Sequence, residues 1–357
     1  MNRKHFLSGL FGLGASLPWW PVRAAGQAAH TEAHWPQAAP PLQPALAAGP
    51  IPPYLKPGDL IGITCPAGYI SRVDIMPAVQ LMQQWGFRIR MGKTVDARDY
   101  SFGGTDPLRC ADLQAMLDDP DIKAIMCARG GYGAARIVDG LDFTKFRRRP
   151  KWVIGFSDIT VLHCHISRHF SIATLHSKMC NSFPDDFRKA EPIVQETIES
   201  IRQALTGQRM HYSADADANN RNGTASGVLT GGNLSMIQSV MATDSEIDTQ
   251  GKILFLEEVG EYLYSLDRMF NNLQRARKLD NLAGLVIGGF NRLKSDDPGE
   301  EFGRTVYDIV MEKVKDKHYP VCFNFPVGHQ KNNFALKCGV MHRLQVSPTG
   351  VLLDEIE

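Results

Sequence analysis

Between residues 60 and 155, short apolar runs alternate with helix-like stretches, and this rhythm restricts the fold more than any other feature of the chain. Leu60-Ile61-Gly62-Ile63-Thr64 reads as a buried strand. The next stretch reads as a helix, with Ser71 three residues before Asp74 at its start and Gly86 at its stop. A strand is expected over Phe87 to Met91, then a helix opening at Asp106-Pro107, where proline suits the first turn. Lys123–Ala128 and Trp152–Gly155 are two more strands, separated by a glycine turn and a short helix. Such alternation predicts a parallel sheet with helices on both faces. Ligands of these sheets bind outside the carboxyl ends of the strands. Two stretches fall there: Arg129-Gly130-Gly131 after one strand and Ser157 after another.

The second half is patterned differently. Residues 207–226 are polar and rich in Asn, Asp and Gly, and read as an interdomain linker. Beyond them short strands are expected at Lys252–Leu256, Leu285–Gly288, Val321–Phe325, Arg343–Val346 and Val351–Leu353, with one helix over Leu263 to Arg277. The 357 residues thus divide into an N-terminal α/β domain (54–206) and a C-terminal mixed α/β domain (227–357). A formal charge of +1 gives no electrostatic case for nucleic acid or an anionic membrane as partner. The seven cysteines include no C-x-x-C pair, and several lie in apolar runs, so they read as small buried hydrophobes.

The N-terminus has the three parts of an export signal: basic Arg3-Lys4, a weakly apolar stretch from Leu7 to Leu17, and small residues at Ala24-Ala25. It is similar to a twin-arginine signal with Lys4 as the second basic residue. The apolar stretch is shorter than the ~20 residues of a bilayer span, so no stable span is expected after processing of residues 1–25. Residues 26–53, rich in Ala, Pro and Gln, read as a solvated linker, His30 and His34 included.

Four features could carry chemistry. Ser157, between a strand end and a helix-like run, has the setting of half a nucleophile elbow. Ile159 replaces the second glycine of that motif, and a plain helix cap is the alternative. Arg129-Gly130-Gly131 suits an oxyanion hole or anion cradle, because adjacent glycines let a ligand approach backbone N–H groups. Glu257 ends a buried strand, where a carboxylate needs a partner, and Glu258 should point the other way. His329 follows an apolar strand at a loop tip beside Gly328, with His176 as the second choice of base. His163, Cys164 and His165 are consecutive and fan around a helix, and no H-E-x-x-H or zinc-finger spacing occurs, so no metal site is expected.

Taken together, these stretches resemble the LD-carboxypeptidase family of serine peptidases. The similar motifs run in order: Gly103-Gly104-Thr105-Asp106 with Arg109 and Asp112-Leu113, then Arg129-Gly130-Gly131-Tyr132-Gly133, then Gly155-Phe156-Ser157-Asp158-Ile159-Thr160. Phe255-Leu256-Glu257-Glu258 with Asp267-Arg268, and Pro326-Val327-Gly328-His329, complete the set. The resemblance implies Ser157 as nucleophile, His329 as general base and acid, and Glu257 as its orienting carboxylate. It places the oxyanion hole at the N–H groups of Gly131 and Asp158. It also implies a C-terminal domain with a small β-barrel-like sheet, a homodimer, no cofactor, and removal of terminal D-alanine from peptidoglycan stem tetrapeptides. Gly130, Arg129 and Asn233 are further candidates for the substrate cleft, Asn233 with a helix cap as its alternative. A substrate ending in a carboxylate needs a cationic or N–H-rich subsite, for which Arg129, Lys178 and Arg268 are the candidates. Two rival readings are a hydrolase of amide bonds in peptide antibiotics and a non-catalytic, exported peptide-binding protein.

Overall fold

The first half supplies strands β1 (Leu60–Thr64), β2 (Arg88–Met91), β3 (Ile122–Cys127), β4 (Trp152–Gly155) and β5 (Thr174–His176). The second half supplies β6 (His211–Ala214), β7 (Gly223–Asn233), β8 (Ile253–Val259), β9 (Gly284–Asn291), β10 (Val321–Cys322), β11 (Leu336–Cys338), β12 (Met341–Ser347) and β13 (Gly350–Glu355). The helices are α1 (Arg72–Gln84), α2 (Asp106–Asp118), α3 (Thr144–Arg148), α4 (Thr160–Phe170), α5 (Pro192–Leu205), α6 (Leu234–Ser239), α7 (Leu263–Arg275) and α8 (Val306–Val314). The computed structural model describes residues 48–356, which fall in one compact unit. The expected signal and most of the 26–53 linker lie outside the described residues.

Two sheets form. The first has the order β11-β5-β4-β3-β1-β2. From β2 to β5 its neighbours are parallel, as the alternation predicts. β1 and β4 are buried along their whole length, which is why they read as unbroken apolar runs. Ser71 caps α1 by accepting from the Asp74 N–H, and Thr105 caps α2 with Pro107 in its first turn. The second sheet has the order β10-β9-β8-β7-β12-β13-β6, parallel from β10 to β7 and antiparallel beyond.

The halves interlock. β11, from the second half, pairs antiparallel with β5 and closes the edge of the first sheet. At the other contact a Cβ on Gly232 would stand 2.5 Å from Thr160 Oγ1, so the absent side chain lets β7 meet the start of α4. One expectation is corrected: residues 207–226 are more than a connection, because they hold β6 and the entry of β7. Among the described residues β6 is an edge strand that pairs only with β13, and in its stretch His211–Ala214 only Tyr212 is buried. A strand with so little buried face leaves a weak apolar signal.

Candidate active site

β4 ends at Gly155, and the chain passes through Phe156 and a single 3₁₀ turn, Ser157–Ile159, into α4. Ser157 has φ 61°, a left-handed conformation that costs a non-glycine residue roughly 1 kcal/mol or more. Neither the 3₁₀ turn nor α4 receives a side-chain cap, so the helix-cap alternative for Ser157 does not hold. Its Oγ instead meets His329 Nε2 at 3.2 Å. Gly130 backs the same hydroxyl: a Cβ there would lie 3.2 Å from Ser157 Oγ.

His329 reaches this point because of glycines elsewhere. β8 and β9 pair Leu256 with Ile287 but Glu258 with Phe290, so β9 carries one extra residue at Gly288-Gly289. A Cβ on Gly288 would stand 2.5 Å from the Val327 carbonyl oxygen, and one on Gly328, at φ 107°, 2.5 Å from Glu257 Cβ. The bulge and Gly328 together let the loop after β10 lie directly on β8. Asn333 holds that loop by accepting from the Gly328 N–H at 2.8 Å. Glu257 Oε2 then accepts from His329 Nδ1 at 2.7 Å and from the His329 backbone N–H at 3.2 Å. The carboxylate selects the Nδ1–H tautomer, which leaves the Nε2 lone pair facing the Ser157 hydroxyl. Glu257 is fully buried and the His329 side chain 22% exposed, so the relay runs from the interior to the cleft. Glu258 points the other way, as strand alternation requires, and accepts from Asn233 Nδ2, both the N–H and the hydroxyl of Ser235, and the Val259 N–H.

The glycine turn after β3 is tied to Ser157 through the neighbouring residue. Asp158 Oδ2 accepts from the Ala134 N–H at 2.7 Å. Burial pushes this carboxyl up to about 6, while the Ala134 and Gly133 N–H groups and the Arg109 charge hold it down. Arg109 is itself buried, donates to the carbonyls of Gly104, Gly133 and Pro66, and pairs with Asp106. One guanidinium thus fastens three loops around the Ser157 turn, a role the sequence reading missed although Arg109 lay inside a quoted motif. The Gly131 and Asp158 N–H groups donate to no protein acceptor among the described residues, and Gly131 has φ 102°. That leaves two donors on the turns beside Ser157 for a developing oxyanion.

The other predicted residues take different places. Arg129 Nη1 donates to the Tyr69 carbonyl at 2.9 Å. Asn233 is a helix cap: its oxygen accepts from Met236 N–H and its amide donates to Glu258. Arg268 lies over the Tyr264 ring. His176 is buried against Phe156 and Phe255, is held well below the usual imidazole range by burial, and has no hydrogen bond to Ser157. His163 Nε2 donates to the Gly155 carbonyl from the interior, and His165 bonds Ser245, as packing residues. The seven cysteines are all unpaired and all but Cys110 are buried.

A parallel sheet that presents serine at a strained turn, met by a histidine and a buried glutamate from a second sheet, has the arrangement of an α/β serine hydrolase. Sequence comparison agrees with the geometry. The LD-carboxypeptidase N-terminal domain matches residues 61–177, and the LD-carboxypeptidase C-terminal domain matches residues 226–344. The chain belongs to the LD-carboxypeptidase family. It is 31% identical over 305 residues to the probable murein peptide carboxypeptidase of Bacillus subtilis (strain 168), covering 85% of this chain and 94% of that protein. The solved muramoyltetrapeptide carboxypeptidase from Oxalobacter formigenes superposes with a TM-score of 0.73 at 25% identity, covering 84% of this chain and 99% of that one. The microcin C7 self-immunity protein MccF of Escherichia coli is 25% identical over 333 residues, covering 84% of this chain and 94% of that protein.

Proposed function

We propose that the protein is a serine L,D-carboxypeptidase that removes the terminal D-alanine from murein tetrapeptides. The observation that carries this reading is the unbroken relay from buried Glu257 through His329 to the hydroxyl of Ser157. Ser157 Oγ attacks the carbonyl carbon of the last peptide bond as His329 Nε2 takes its proton. Glu257 fixes the ring and stabilises the imidazolium that forms. The Gly131 and Asp158 N–H groups receive the charge that develops on the carbonyl oxygen. His329 returns the proton to the leaving amine, D-alanine departs, and water then hydrolyses the acyl-enzyme with His329 again as base.

The murein substrate is supported by the names of the Bacillus subtilis and Oxalobacter formigenes relatives, each of which covers more than four fifths of this chain. The proposal extends to an exported, homodimeric enzyme. Export rests on the pattern Arg3-Lys4, Leu7 to Leu17 and Ala24-Ala25, and the dimer on the family resemblance. Detection of a mature N-terminus near residue 25 in a periplasmic extract checks the first, and sedimentation checks the second.

The decisive assay is free D-alanine released from a muropeptide tetrapeptide. Wild-type protein is expected to release it with or without EDTA, and Ser157→Ala to lose on the order of 10⁴-fold or more in rate. No release by the wild type removes the carboxypeptidase reading, and an active Ser157→Ala variant removes the nucleophile.

A further inference from the structure

Lys178 stands between the two loops that carry the reacting groups. Its Nζ lies 5.7 Å from the centre of the Phe156 ring, one residue before Ser157, and donates at 2.5 Å to the carbonyl of Gln330, one residue after His329. Like Ser157 and His329, it keeps partial exposure in a stretch whose other residues are mostly buried. An ammonium has three donors. The Gln330 carbonyl takes one, and among the described residues Lys178 forms no ion pair. The one carboxylate whose field bears on it is Glu257, which is already engaged by His329. Burial pulls the ammonium down to about 8, the mark of a cation set in a poorly solvated place without a partner.

The rival cations are placed otherwise: Arg129 is exposed to solvent and needs no anion to offset burial. Arg129 holds the Tyr69 loop, and Arg268 lies over Tyr264. A half-buried cation without an anion is costly to keep. The chemistry of a carboxypeptidase supplies that anion at a fixed place. The terminal carboxylate is attached to the carbon next to the leaving nitrogen, and His329 must protonate that nitrogen. The carboxylate therefore arrives within a few ångströms of His329, and it is the carbonyl of the next residue, Gln330, that holds Lys178.

We propose that Lys178 is the anchor of the substrate's terminal carboxylate, a cationic subsite on the leaving-group side of Ser157 that makes the enzyme an exopeptidase. The inference rests on the carboxypeptidase reading above. It assigns two free N–H donors of Lys178 to the carboxylate oxygens and leaves the third on Gln330.

The experiment compares the tetrapeptide acid with the same peptide ending in a carboxamide. Wild type is expected to prefer the acid by roughly 10- to 100-fold in kcat/KM, carried mostly by KM, as a lost charge-assisted hydrogen bond predicts. Lys178→Met brings acid and amide to parity, whereas Lys178→Arg keeps the preference. The wild-type preference also fades as pH rises through about 8, because the neutral amine no longer attracts the carboxylate; Lys178→Arg keeps it there. An acid preference that survives in Lys178→Met overturns the proposal. So does a wild type that hydrolyses acid and amide equally at neutral pH, a result that needs no variant to fold. Wild-type protein that releases nothing from the acid strikes the carboxypeptidase reading instead, so the two failures are told apart.

Discussion

Glu355 and Glu257 are both buried carboxylates on the second sheet, and each meets one nitrogen-bearing side chain. Glu355 is closed: both its oxygens receive Lys337 Nζ, at 3.1 and 2.9 Å, and one also accepts from the Met210 N–H. Lys337 spends its remaining capacity on the Gln208 carbonyl and the Tyr54 ring. Glu257 is open. One oxygen takes both bonds from His329, and the other has no partner among the described residues. Beyond His329 lies a hydroxyl on a strained residue, and beside it a lysine with no carboxylate of its own. The first region uses burial to lock β11 and β13 together, with charge satisfied on every side. The second keeps polarity unspent, which is what a reacting group requires.

The comparison breaks most sharply in rates. Glu257→Gln should lower D-alanine release by about 10³- to 10⁴-fold, because the ring loses its tautomer and its counter-charge. Glu258→Gln, whose carboxylate bonds Asn233, Ser235 and Val259, should leave turnover by folded protein close to wild type. The reverse pattern in steady-state kinetics would mean that Glu258 faces His329. Lys337→Met acts on the other region. It strands Glu355 in the interior and should destabilise the fold by about 3–5 kcal/mol in urea denaturation, with the activity of the folded enzyme kept. A Lys337→Met protein of unchanged stability would show that this pair is not closed.

Acid should expose both regions. His163 beneath the Ser157 turn and His342 near the Lys337–Glu355 pair are each pushed by burial from 6.5 down to about 4. Their folded values lie below the unfolded ones, so the unfolded chain gains protons that the folded chain refuses. Their contribution is therefore whole above pH 6.5 and is lost as pH falls towards 4. Between pH 7 and 5 each costs about 2 kcal/mol. Asp158, pushed up to about 6, works in the opposite sense and offsets part of the loss. Denaturation at the two pH values should show a smaller drop for His342→Leu than for wild type. The smallest effect is a gain: Ser157→Gly abolishes activity but relieves the positive φ, and should raise stability by about 1 kcal/mol. A destabilised Ser157→Gly would mean the turn stores no strain.

Strands that are buried on both faces were legible in the sequence. β1 and β4 match their expected limits because no polar alternation interrupts them. β7 and β11 were not. β7 spans Gly223-Thr224-Ala225-Ser226-Gly227-Val228-Leu229-Thr230-Gly231-Gly232-Asn233, whose glycines suit close contacts and leave little apolar pattern. β11 has three residues, and its centre is Lys337, which only the distant Glu355 makes tolerable inside. α5 is a different kind of omission. Pro192 in its first turn and the buried Ile198, Ile201 and Leu205 were present as signals of an amphipathic helix.

The site divides along the same line. Glu257 stood out as a carboxylate ending a buried strand, Ser157 by its setting between a strand end and a helix-like run, and His329 by its loop tip beside Gly328, and the linked motifs placed them in one family. The sequence by itself determined those residue types, their order and the parallel α/β frame, since these follow from local periodicity and composition. Only the tertiary structure decided that the serine is strained and uncapped, that both His329 bonds fall on one oxygen of Glu257, and that Lys178 has no ion pair among the described residues. Those facts depend on a bulge in β9, on Gly328 against β8, and on partners 72 and 172 residues apart. Local sequence carries no record of such distances, because they are set by how the two sheets pack.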